Sequence, residues 1–352
     1  MLYQRNNPHG GDLYGRGPCL DFSANTNPLG TPESVRLAVI EAAQSLDRYP
    51  DPYCRALTAA ISDYEQVPQS RILCGSGAAE LIYAYCAALR PRQALELAPT
   101  FSEYSAALES VGCRVERHRL RPEQWFQPDG GLIEAIRQGS WDVVFLCNPN
   151  NPTGQLLEPS VLLEAAAVCR ERHIRLFLDE CFLDLTDQAD DSMRSYLDEF
   201  PELFILKAFT KSFGMAGLRL GYGLSADSAL LAAMSRMVQP WNISGPAQAA
   251  GVAALQETAF LERTRQLLRQ ERPWLKTRLE QLGLEVCPSR ANYLLLRSDL
   301  DLAAQLPRQG IVVRDCSNYC GLGIGWYRAA IRQREENLQL VEAIGRIREA
   351  KV

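Results

Sequence analysis

Between residues 71 and 209 short apolar runs alternate with longer amphipathic ones, and that rhythm limits the fold more than anything else in the chain. "RILCG" (71–75), "QALELAP" (93–99), "RVERHRL" (114–120), "WDVVFLCNP" (141–149), "IRLFLDE" (174–180) and "LFILKAF" (203–209) read as strands. "AAELIYAYCAALR" (78–90), "SEYSAALESVG" (102–112) and "EPSVLLEAAAVCRERH" (158–173) have helical periodicity. Strands and helices in this alternation predict βαβ units and an α/β fold, with a mostly parallel sheet covered on both faces. From about residue 227 the pattern turns helical, with one long helix near 246–280. Two strands follow, "NYLLLR" (292–297) and "GIVVRDC" (310–316), and then a closing helix, "REENLQLVEAIGRIREA" (334–350). The expected organisation is an N-terminal segment (1–35) that joins the small domain, a large domain (36–226) and a small C-terminal domain (227–352).

In open parallel sheets, ligands bind beyond the carboxyl ends of the strands. "CGSGAAE" (74–80) is a glycine turn into a helix start; its amides around Ser76, Gly77 and Ala78 suit an anion, although a tight turn explains Gly75 and Gly77 equally well. "NPNNPTG" (148–154) stops a buried strand and offers fixed amide donors. "FLDE" (177–180) ends another in Asp179 and Glu180, and a carboxylate there is costly unless a cationic ligand nitrogen or a salt bridge pairs it. "AFTKSFGMAGLRLGYG" (208–223) sets Lys211 just past a third apolar run, before a glycine-spaced turn carrying Arg219, whose planar fork suits a phosphate. A phosphorylated aromatic aldehyde with a protonatable ring nitrogen would use all of these parts. Pyridoxal 5′-phosphate is such a group, and a lysine joined to it as a Schiff base is the expected attachment.

Charge supports local recognition only. A net charge of −5 and a pI near 5.5 give no electrostatic reason to expect nucleic acid or an anionic membrane as partner. The eleven cysteines include no CxxC pair, and Cys316 and Cys320 lack a matching pair or histidine, so no metal site is expected. The polar, glycine-rich start and the absence of any run of 18 apolar residues predict a cytoplasmic, soluble protein.

The order NPTG, Asp179, Lys211, Arg219 resembles that of fold-type I pyridoxal-phosphate enzymes of the aspartate aminotransferase superfamily. Within it the chain is similar to histidinol-phosphate aminotransferases through "RYPDP" (48–52), and more so to threonine-phosphate decarboxylases. The latter resemblance rests on "HGG" (9–11), "LDFSANTNPLG" (20–30), "RYPDPYC" (48–54), "RANYLLLR" (290–297), "VRDCSNYCGL" (313–322) and "YRAAIR" (327–332), and so runs nearly end to end. It implies a seven-stranded type of sheet between helices and a smaller α/β C-terminal domain. It also implies that Lys211 forms the Schiff base and Asp179 pairs with the ring nitrogen, while Phe101 stacks on the ring and Asn151 donates to its phenolic oxygen. Ser76, Gly77, Ala78, Thr210 and Arg219 would hold the phosphate. Tyr49 would reach it from the neighbouring subunit, which implies a homodimer with shared sites. Many relatives carry a tyrosine at the position of Phe182; losing that donor raises the pKa of the Schiff base and tilts the resemblance toward the decarboxylases.

For the substrate, the resemblance implies Arg328 for a carboxylate and Arg314 for a distal phosphate, with Asn151 beside them and His9 and Asn27 folding over from the N-terminal segment. The same catalytic residues serve decarboxylation and transamination, because the orientation of the substrate decides which bond breaks. The first expectation is decarboxylation of L-threonine O-3-phosphate to (R)-1-amino-2-propanol O-2-phosphate for cobalamin assembly, with L-serine phosphate as an analogue. Transamination of histidinol phosphate is the alternative, and a non-catalytic cofactor-binding regulatory module is an alternative of another class.

Overall fold

The computed structural model describes residues 9–15 and 17–350. A two-residue strand, β1 (Leu20–Asp21), comes first. The next seven strands build one sheet: β2 (Ile72–Gly75), β3 (Gln93–Ala98), β4 (Arg114–Arg119), β5 (Val143–Cys147), β6 (Arg175–Asp179), β7 (Leu203–Ala208) and β8 (Gly221–Ser225). Their spatial order is β2-β8-β7-β6-β5-β3-β4, all parallel except β8, which is antiparallel to both its neighbours. The strand side chains alternate between two cores. Phe145, Phe177 and Phe204 meet Tyr85 and Tyr104 from helices Ala78–Leu89 and Glu103–Ser110, with the Phe145 and Phe177 rings stacked at 4.4 Å. Val144, Leu146, Leu176, Leu178 and Ile205 face the other way, toward Leu162 and Ala165 of helix Pro159–Glu171. Burial on both faces is why these strands read as continuous apolar runs rather than as alternating ones.

Several elements differ from the sequence expectation. The glycine-spaced end of "AFTKSFGMAGLRLGYG" is not a turn but β8. Its glycines conceal the strand pattern because close packing requires them: a Cβ at Gly221 would lie 2.8 Å from the Ala78 amide nitrogen, and one at Gly223 would strike the Phe204 ring. The helix expected near 246–280 is two helices, Gly245–Leu255 and Thr258–Gln281. The first packs on helices Glu33–Ala42 and Arg55–Glu65, whereas the second packs on strands beyond the large sheet, so the chain must redirect between them. Glu257, at that junction, accepts from Ser34 Oγ at 2.5 Å.

The remaining strands are β9 (Glu285–Val286), β10 (Tyr293–Arg297), β11 (Ile311–Val312), β12 (Arg314–Asp315) and β13 (Trp326–Ala330). Four of them form an antiparallel sheet in the order β12-β13-β10-β9, whereas β11 pairs in parallel with β1, so the single strand expected at "GIVVRDC" is two short strands in different sheets. "YRAAIR", which carried no strand assignment in sequence, supplies β13. The register sets Arg314 directly opposite Arg328.

Candidate active site

The carboxyl ends of β5, β6 and β7 open into one cavity, closed from the other side by β12, β13 and residues 23–25. About 900 Å³ there, open solvent at the mouth included, is not filled by protein. His9, Phe101, Asn151, Asp179, Thr210, Lys211, Arg219, Arg314 and Arg328 all line it, as does Ala78. Residues far apart in sequence therefore meet because parallel strands end on one edge.

Asp179 is the last residue of β6 and is 5% exposed. Its Oδ1 accepts from the Cys181 amide at 2.9 Å and its Oδ2 from Tyr104 Oη at 2.5 Å. Burial nevertheless raises its pKa, because these bonds and the Lys211 charge offset the lost hydration only in part. A cationic partner in the cavity would reverse that balance. Tyr104 escaped the sequence reading; its signal was its place three residues after Phe101 in "FSEY".

The chain has four lysines, and two of them lie within this region. Lys207, on β7, is 1% exposed and sits 2.9 Å from Asp184 and 3.3 Å from Glu65. Burial alone would lower its pKa, but the surrounding carboxylates outweigh burial and hold the ammonium above its ordinary value. Lys211 lies four residues on, in the one-turn helix Phe209–Ser212. Burial first, then the Arg328 and Arg219 charges, lower its pKa to about 8, against opposing effects of Cys181 and Asp179. Its Nζ is 5.5 Å from the Phe182 ring centre. Lys207 is therefore a structural cation, and Lys211 is an amine that is substantially neutral near pH 8 and faces the cavity.

The two cross-strand arginines meet different partners. Arg328 is 6% exposed; its Nη1 donates to Asn151 Oδ1 and its Nη2 donates to the Ser23 carbonyl at 2.9 Å. These acceptors are neutral, and Arg328 makes no ion pair among the described residues, so a buried cation lies ready for an anion. Arg314 donates to Asn318 Oδ1 at 2.7 Å and lies over the Tyr319 ring. Two guanidiniums side by side repel unless anionic ligands are shared between them. Because Asn151 Oδ1 is engaged by Arg328, its amide nitrogen is the end left to a cavity ligand.

Several expected contacts are placed otherwise. The Ser76 amide donates to Glu80 Oε2 at 2.6 Å and the Gly77 amide to the Gly75 carbonyl, so Ala78 and Ala79 line the cavity at this helix start. Gly77 still matters, since a Cβ there would lie 2.6 Å from Arg219 Nη2. Asn27 does not line the cavity; its side chain is taken up by Ser212, Thr264 and Leu29. The neighbouring Asn25 does line it, 2% exposed, with neither amide atom hydrogen-bonded. Sequence alone could not choose between the two, because "SANTNP" offers two asparagines of identical polarity two residues apart. Tyr49 is 80% exposed, stacked on Trp241 at 4.6 Å, and outside the cavity of its own chain. His9 Nε2 lies 2.6 Å from Glu103 Oε1.

The donor set fits the expected cofactor on the structure's own terms. An unpartnered buried amide, a buried arginine without an anion, a carboxylate at an apolar strand end and a depressed lysine share one cavity. Asp179 would sit at the ring nitrogen, Phe101 against the ring, and Ala78, Thr210 and Arg219 at the phosphate.

The family model for class I and II aminotransferases matches residues 17–344. The chain is 40% identical over 351 residues to threonine-phosphate decarboxylase of Salmonella typhimurium, covering 96% of each sequence. It is 35% identical over 335 residues to histidinol-phosphate aminotransferase 1 of Cupriavidus pinatubonensis, covering 92% of this chain and 87% of that one. Among solved structures, histidinol-phosphate aminotransferase from Clostridium acetobutylicum superposes with a TM-score of 0.87 at 28% identity, over 94% of this chain and 99% of the other.

Proposed function

This chain belongs to the class I and II aminotransferase family, and from that premise we propose that it is a pyridoxal 5′-phosphate-dependent carboxy-lyase acting on L-threonine O-3-phosphate. Its product is then (R)-1-amino-2-propanol O-2-phosphate, the form of aminopropanol used in cobalamin assembly. The observation that carries the reading is the Arg314–Arg328 pair facing one cavity, which suits a substrate with two anionic groups. Its agreement with the reaction for which the Salmonella relative is named adds support.

The cofactor, when bound, supplies an aldehyde for the amines of Lys211 and substrate and a ring that withdraws electrons from the substrate α-carbon. Arg328 and Arg314 bind the carboxylate and the phosphate and so fix the direction of the α-carbon bonds. The apolar walls, Phe101, Phe182 and Cys147, exclude water. Lys211, with its pKa lowered to about 8, holds a proton that it can deliver to the α-carbon that carbon dioxide leaves. Phe182 in place of a hydroxyl-bearing side chain leaves the Lys211 amine next to an aromatic face. The methyl of threonine phosphate is worth only about 1–3 kcal/mol in such a pocket, so serine phosphate is the expected weaker substrate.

Carbon dioxide release from L-threonine phosphate without 2-oxoglutarate is the expected result, measured in a coupled assay. Glutamate formation from histidinol phosphate and 2-oxoglutarate, without that release, would replace this reading by transamination. Cofactor binding with neither product would mark a regulatory module.

The same reading makes the enzyme a homodimer. Leu37, Ile40, Leu46, Tyr49, Tyr53 and Trp241 expose apolar surface, and Tyr49 would reach the cofactor phosphate of the partner. Sedimentation is expected to give a dimer, and Tyr49→Ala to weaken cofactor retention; a monomer with full activity would refute this. All eleven cysteines are free thiols, in keeping with a cytoplasmic location, and no helix among the described residues is long and apolar enough to cross a membrane.

A further inference from the structure

The turn that bears Lys211 is gripped from outside the cavity by the N-terminal segment. Asn27 Nδ2 donates to the Ser212 carbonyl at 2.8 Å and lies 2.9 Å from Thr264 Oγ1, while Asn27 Oδ1 accepts from the Leu29 amide at 2.9 Å. Two residues past Ser212, the Gly214 carbonyl accepts from Thr31 Oγ1 at 2.8 Å. Gly214 has a φ of +64°, and a Cβ there would lie 2.6 Å from the Gly30 carbonyl oxygen. Residues 27–31 thus lie directly against residues 212–214.

On its other side, Ser212 is fixed through its hydroxyl, which donates to Asp184 Oδ2 at 3.0 Å. Asp184 is itself held by Lys207. The opposite end of the N-terminal segment meets the small sheet. Arg328 Nη2 donates to the Ser23 carbonyl at 2.9 Å, the Ala330 amide to the Phe22 carbonyl at 2.8 Å, and Asn292 Nδ2 to the Thr26 carbonyl at 3.0 Å. One short stretch of chain, bent at residues 23–24 and turned at 28–29, therefore connects the anion-binding arginine to the residue after the reactive lysine.

We propose that Asn27 is a positioning residue for Lys211, acting through the Ser212 carbonyl, and that residues 22–31 couple the small sheet around Arg328 to the turn carrying the lysine. This rests on the reading that Lys211 is the reactive amine. Asn27 cannot serve substrate from where it stands, since it is outside the cavity and its amide already has protein partners. Ser212 is buried, so removing Asn27 leaves its carbonyl without a donor, and the turn must move to find one. A displacement of about 1 Å at a reacting group is enough to reduce a rate by about 10²-fold.

The test pairs steady-state kinetics with the rate at which trinitrobenzenesulfonate modifies Lys211 in the full chain purified without cofactor, resolved by peptide mass spectrometry. For Asn27→Ala the expected result is a kcat about tenfold to a hundredfold lower, KM within about threefold, and a Lys211 modification rate changed by about threefold or more. Thr31→Val, which removes the neighbouring clasp without exposing the Ser212 carbonyl, should show the same pattern more weakly and serves if Asn27→Ala does not fold. A raised KM with unchanged kcat would make Asn27 a substrate ligand and overturn the proposal. A lowered melting temperature with unaltered modification, whatever happens to kcat, would make its role merely structural. If the wild-type protein does not turn over threonine phosphate, the modification rates still decide on Asn27, so the two readings fail separately.

Discussion

Lys211→Ala is expected to reduce carbon dioxide release by about 10³-fold or more while leaving the protein folded. The chemical reason is that Lys211 is the only lysine among the described residues that lines the cavity. Lys207 is locked among carboxylates that keep it charged, and a charged ammonium is no nucleophile. The stability side follows from the direction of the shift. Folding lowers the Lys211 pKa from 10.5 to about 8, so the folded state disfavours the ammonium. Below about pH 8 the charge is forced on the folded site, and its removal relieves that penalty. The variant should therefore melt no lower than the wild type at pH 7. Borohydride reduction after adding pyridoxal phosphate should leave a mass adduct on the Lys211 peptide of the wild type and none in the variant. An adduct on Lys207 instead would overturn the assignment. Reaction of Lys211 with amine reagents should rise as pH passes through about 8 and the neutral amine accumulates.

How far the sequence alone reaches is set by periodicity. The strands buried on both faces, β3 and β5 to β7, read clearly, because nothing but continuous apolar sequence fits between two helical layers. β8 did not, because Gly221 and Gly223 are selected by the close approach of Ala78 and Phe204 and carry no strand signature. The site residues at strand ends, Asp179, Asn151 and Lys211, were legible because a polar group after an apolar run is rare and must have a partner. Residues that act through tertiary contact were not. Tyr104 reaches Asp179 only because helix Glu103–Ser110 packs on the sheet, and which of Asn25 and Asn27 lines the cavity depends on how the bends of residues 23–29 turn each side chain. The Arg314–Arg328 pairing likewise needs the register of β12 against β13, which no local pattern encodes.

Asp179→Asn should lower kcat by about 10²- to 10³-fold with a small change in KM, since an amide cannot keep a ring nitrogen protonated. The geometry predicts that the fold tolerates it. Asn keeps an acceptor for the Cys181 amide, and Tyr104 Oη can accept from the new NH2 instead of donating. Because burial raises the Asp179 pKa above its ordinary 3.8, the ionised carboxylate detracts from stability at neutral pH in the protein without cofactor. That deficit shrinks as pH falls through the folded-state pKa, so the variant should melt at or above the wild type at pH 7 and lose its advantage in acid. Glu180 supplies the control from the same "FLDE" sequence. Its carboxylate accepts from Ser192 Oγ at 2.6 Å and from the Met193 amide at 2.9 Å, and it lies 4.0 Å from Lys207, away from the cavity. Glu180→Gln should therefore change melting more than turnover. Full activity in Asp179→Asn would remove Asp179 from the chemistry, and with it the reason that β6 ends in a buried charge.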